Sequence, residues 1–157
     1  MIKANKFNQL IKLIIGLIFG VWFIWALTKN IAIIYSPTDS LGNHYFLHLK
    51  QIKPKLNDYT LVYSTWYKGL VIKKIVGVSQ DRIWYNQQGV LLINNHIIGK
   101  PKPIATDGRI LHPIKPQIIP RETVFLKGYH IDSFDSRYQE FGLVSVDCLE
   151  GLVIPLK

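Results

Sequence analysis

Residues 10 to 27 read LIKLIIGLIFGVWFIWAL, an apolar run that contains a single charge. As a helix rising about 1.5 Å per residue, it comes close to the roughly 20 residues needed to cross a hydrocarbon core. Lys12 sits near one end, where its stem can snorkel to the headgroups. Trp22 and Trp25 sit near the other end, where aromatic belts form. Lys3, Lys6 and Lys12 gather at the N-terminal side and only Lys29 follows closely, so the positive-inside bias puts the N-terminus in the cytoplasm. A cleaved signal peptide would have a shorter apolar stretch followed by a small-x-small site. A helix packed against the core of a domain this small would keep a polar face. The expectation is an uncleaved signal anchor.

Past residue 30 the pattern changes to short segments rich in Val, Ile, Tyr and Trp, broken by Gly, Asn, Asp and Pro. That pattern predicts a mostly β fold, with strands near 31–35, 44–49, 60–65, 70–78, 82–85, 89–93, 96–99, 123–127, 141–147 and 151–155. VLLINNHIIG reads as a hairpin turning at Asn94 and Asn95, since Asn tolerates the left-handed backbone of tight turns. Residues 100 to 122 carry five prolines and read as an extended excursion over the sheet. The chain therefore divides into a stub and transmembrane anchor, 1–30, and a β-rich domain, 31–157.

The net charge of +9 invites a nucleic-acid reading. Its basic residues are scattered, however, without an arginine-rich helix, a zinc-finger spacing or an RNP-like pattern. A basic surface beside an anionic bilayer accounts for the charge, and no nucleic-acid partner is expected. Cys148, the single cysteine, excludes an intrachain disulfide. The five histidines (His44, His48, His96, His112 and His130) lack metal-ligand spacing, so no metal is expected from them, and no organic cofactor is expected either.

Three stretches could carry chemistry. SPTDSLG offers Ser36, Thr38 and Ser40 before Gly42; alone it reads as an Asx or Ser/Thr turn. KGLVIKKIVGV places Lys73 and Lys74 side by side in an apolar strand, where successive side chains point to opposite faces. One ammonium must then be buried or set in a cleft, which would lower its pKa and suit it to act as a general base; an edge strand with a gatekeeper lysine is the alternative. Periodicity does not choose between the two lysines. DSFDSRYQEFG can pair Asp135 with Arg137 and supplies the hydroxyls of Ser133 and Ser136, although alone it reads as a polar turn.

Taken in order, an anchor, Thr-x-Ser, an apolar strand with Lys-Lys and then SFDSRY resemble the type I signal peptidase family, S26. The likeness is strongest to its conjugative-transfer branch, the TraF-type peptidases that mature or cyclise pilins, and it runs from Ile31 to Val146. The resemblance implies a signal-peptidase-like β-sheet catalytic domain behind one transmembrane helix in the bacterial inner membrane, with the domain on the extracytoplasmic side. It implies Ser40 as nucleophile, Lys73 as general base, and Thr38 with the Ser40 N–H as the oxyanion hole. It also implies that Ser133 directs the lysine amine and that Asp135 and Arg137 brace the site. The implied partner is a membrane-anchored protein substrate, a pilin precursor above all.

The chain departs from the family at several points. No proline follows Ser40, SRYQEFG is two residues longer than Ser-Arg-Tyr-x-Gly, and GYHIDS replaces the Gly-Asp-Asn signature of housekeeping signal peptidases. The last departure points to a specialised peptidase over a general signal peptidase; the resemblance implies that it serves a conjugative transfer or type IV secretion apparatus. The competing expectation is a catalytically silent, membrane-anchored β domain that presents substrates within such a complex.

Overall fold

The computed structural model describes residues 2–36 and 45–156. The chain divides into two compact units, Met1–Ala32 and Ile33–Lys157. The first is essentially one helix, α1 (Ile2–Asn30), whose stretch Gln9–Asn30 is long and apolar enough to cross a membrane. Its large apolar side chains from Leu10 to Trp25 are all exposed, so no protein core accounts for them. On insertion scales each centrally placed Leu, Ile, Phe or Val contributes roughly −0.3 to −0.6 kcal/mol, which favours lipid as their solvent.

The remainder is mostly β, as the alternating pattern predicts. Among the described residues a seven-stranded sheet runs in the order β1 (Ile31–Tyr35), β2 (Tyr45–Leu49), β11 (Leu152–Leu156), β3 (Tyr59–Ser64), β4 (Gly69–Gly77), β9 (Thr123–Lys127), β10 (Val144–Ser145). A four-stranded sheet runs β7 (His96–Gly99), β6 (Leu91–Ile93), β5 (Arg82–Tyr85), β8 (Gln117–Ile118). The β6–β7 hairpin turns where expected, with Asn94 at φ 52°. Ile83, Ile93 and Ile119 pack with Phe125 of β9, so one apolar core joins the two sheets. Gly77 permits that approach, because a Cβ there would lie 2.8 Å from the Ile119 Cδ1.

Two expectations change. The strand predicted over 141–147 is reduced to β10 followed by a 3₁₀ turn, Val146–Cys148. Backbone N–H groups of Phe141 and Gly142 both donate to the Tyr138 carbonyl, Gly142 takes φ 70°, and the Ser145 hydroxyl accepts from Asp147 N–H to cap the turn. The excursion after β7 is not featureless either. It folds back as a small turn with Ala105 N–H donating to the Arg109 carbonyl (2.8 Å), bridges Ile104 to Ile110, and contributes β8. We call residues 100–121 the strap.

Candidate active site

Strand β4 pairs with β3 from Gly69 to Lys74 and with β9 from Lys74 onward, so its second half lies inside the sheet. The buried positions at its far end are Lys73, Ile75 and Gly77, one alternating set, so the sheet turns Lys73 inward and leaves Lys74 half-buried. Only 4% of Lys73 is exposed. Its amine donates to the Ser133 hydroxyl at 2.6 Å. Burial disfavours the ammonium and holds the Lys73 pKa down at about 8; the Asp135 carboxylate opposes that shift and the Arg137 guanidinium adds to it.

Ser133 is held by a network that follows β9. Asp135, fully buried, accepts from the Arg137 Nε at 2.8 Å and from the Gly128 N–H at 2.8 Å. Arg137 in turn donates through Nη2 to the Ser133 carbonyl (2.8 Å) and through Nη1 to the Ile131 carbonyl (3.0 Å). The charged pair is therefore satisfied on both sides, which a buried ion pair requires. Burial opposes the Arg137 charge, but the hydrogen bond and charge of Asp135 outweigh it and raise the Arg137 pKa. Ser136 completes the brace: its hydroxyl accepts from Leu126 N–H and its own N–H donates to the Leu126 carbonyl, both at 3.0 Å.

The structure thus brings Lys73, Ser133, Asp135 and Arg137 together. Thr38 and Ser40 lie outside the described residues. Lys73 and Ser133 open onto a cavity of about 720 Å³ that Ser36, His48, Leu70, Ile72 and Tyr129 also line. One contributor escaped the sequence reading. A Cβ built on Gly128 would fall 1.8 Å from the Ser133 Oγ and 3.1 Å from the Lys73 Nζ, so only glycine fits beside the pair. Its signal was a glycine at the end of a predicted strand, five residues before the serine. Two histidines take other partners: a His48 ring nitrogen contacts the Glu150 carbonyl, and His112 Nδ1 lies 2.6 Å from Glu140 Oε1.

The family model for signal peptidase, peptidase S26, matches residues 5–155. The chain belongs to that family. It is accordingly a serine peptidase by descent, with a signal-peptidase-like β fold and a helix suited to membrane anchoring. Among solved structures this S26 member is similar to a signal peptidase I from Enterococcus faecalis V583, with 21% identity and a TM-score of 0.42 over 64% of this chain and 96% of the other. No curated protein matches it significantly.

Proposed function

We propose that this protein is a signal-anchored serine endopeptidase with a Ser/Lys dyad, acting on a pilin precursor or another exported component of a conjugative or type IV secretion apparatus. The observation that carries the reading is the buried Lys73, with its amine on Ser133 and its pKa lowered to about 8. A neutral Lys73 takes the proton of Ser40 as the Ser40 oxygen attacks the scissile carbonyl. The Ser40 N–H and the Thr38 hydroxyl stabilise the oxyanion, and Lys73 then delivers the proton to the departing amine. Ser133 keeps the amine aimed, while Asp135 and Arg137 hold the loop that carries Ser133. The acyl group on Ser40 leaves to water, giving cleavage, or to a substrate amine, giving a circular pilin. Among the described residues Gly69–Lys73 of β4 pair with β3 alone, which supports an extended substrate backbone adding there. Residues 1–30 form the cytoplasmic stub and inner-membrane anchor and residues 31–157 the extracytoplasmic peptidase domain.

The test is the intact mass of a two-span pilin-like precursor co-expressed with wild type, Ser40→Ala or Lys73→Ala protein. Processing by the wild type alone is expected, and a product one water lighter than the linear chain marks cyclisation. Equal processing by all three would remove Ser40 and Lys73 from the mechanism. With a base that must be neutral, activity should rise with pH through about 8.

A further inference from the structure

Phe134 stands between two residues that matter to the site, Ser133 and Asp135, yet it does not line the cavity onto which Lys73 opens. Its ring is buried in an aromatic cluster. Trp66 stacks on it with centroids 4.1 Å apart, Tyr138 lies nearly parallel at 6.1 Å, and Phe141 meets it edge-on at 5.5 Å. The Phe141 ring centroid is itself 6.0 Å from the Lys73 amine. Trp66 sits in the turn between β3 and β4, three residues before the strand that carries Lys73.

The strap completes the cluster. The Arg109 guanidinium lies over the Trp66 ring, 3.1 Å from its centroid, and Asp107 accepts from the Arg109 Nε at 2.8 Å. The strap is also stitched to the motif that follows Ser133. Lys102 pairs with Asp132, Ile114 N–H donates to the Arg137 carbonyl (2.9 Å), and Gln139 N–H donates to the His112 carbonyl (2.8 Å). Trp66 thus spans the strap, the β3–β4 turn and Phe134, and it is absent from the walls of the Lys73 cavity.

We propose that Trp66, held in place by Arg109, is a positioning residue for the Lys73–Ser133 pair and acts through Phe134. The proposal deepens the peptidase reading, since it rests on the role given there to Lys73. A Ser133 hydroxyl 2.6 Å from the amine tolerates little movement of its backbone, and a displacement near 1 Å in such a pair costs on the order of 100-fold in rate. Packing on both the strap and the turn limits that movement. Truncating Trp66 opens space beside Phe134, loosens the segment and readmits water to the amine. The charged groups that act on Lys73 are Asp135 and Arg137, and the same segment carries both.

The test follows the amine directly. Full-length protein in detergent micelles, labelled at lysine Cε, is titrated by NMR, with the Lys73 resonance assigned by its loss in Lys73→Arg. The wild-type midpoint near 8 should rise by about one pH unit or more in Trp66→Ala and stay near wild type in Trp66→Phe. Arg109→Ala should give a smaller rise in the same direction. An unchanged midpoint in Trp66→Ala would overturn the proposal, because a role confined to docking the strap lowers stability without moving the amine. Should Trp66→Ala fail to fold, Arg109→Ala decides alone, and no shift there overturns it. The two readings fail separately: precursor processing by Lys73→Ala would sink the dyad, whereas the titration reports on positioning in either case.

Discussion

The two halves of the β-rich unit are held by different physics. Between the sheets, Ile83, Ile93, Ile119 and Phe125 form an apolar core with no direction to its attraction. Behind Lys73, the fully or nearly fully buried groups are Asp135, Ser136 and Arg137, joined by hydrogen bonds to one another or to the flanking backbone. Apolar contact is non-directional and tolerates volume-conserving repacking. A buried charge network does not, since each broken bond leaves a desolvated polar atom. The region that must hold Ser133 within hydrogen-bond reach of a lysine is the one built from directional bonds.

The largest effect expected from breaking this contrast is at Arg137. Arg137→Ala leaves the Asp135 carboxylate buried without its partner and should destabilise the fold by roughly 3–5 kcal/mol, read by denaturant unfolding in micelles. Lys73→Met should do the opposite. The folded pKa of Lys73, about 8, lies below the unfolded value of 10.5, so between those values the unfolded chain binds more protons and stability rises with pH. Below about 8 that contribution is fully lost. The methionine variant should then be more stable than wild type at pH 7, by up to about 3 kcal/mol less whatever the lost Ser133 hydrogen bond costs. Thermal melts at pH 7 and pH 10.5 check this, and the advantage should vanish at the higher pH.

Gly128→Ala forces its methyl onto Ser133 and should reduce processing on the order of 100-fold while the chain stays folded, as measured by initial rates beside circular dichroism. The smallest effect belongs to the apolar core between the sheets. Ile93→Val removes one methylene from a site with apolar neighbours and should cost about 0.5–1.5 kcal/mol with the pH profile of activity unchanged. A shift in that profile would show that the two regions are coupled more tightly than their separate chemistries suggest.

Several elements were legible because their signals are local. The anchor helix follows from unbroken apolarity, the β6–β7 hairpin from Asn94 and Asn95, and most strands from two-residue alternation. The stretch over 141–147 misled because its apolar residues alternate like a strand while Gly142 turns the backbone. The five prolines of the strap spoke against regular structure, and its contacts with residues 132–140 join positions too far apart in sequence for any local pattern to reveal.

By itself, then, the sequence determined a membrane-length helix, a β class and a family likeness, all properties of neighbouring residues. Only the tertiary structure decided that Lys73 is the lysine turned inward and Lys74 is not, for both are flanked by apolar residues at two-residue spacing and burial depends on which face the sheet closes. It alone showed that Gly128 lies against Ser133 and Arg109 over Trp66. Those facts depend on strand order and close approach between distant segments, which periodicity does not encode.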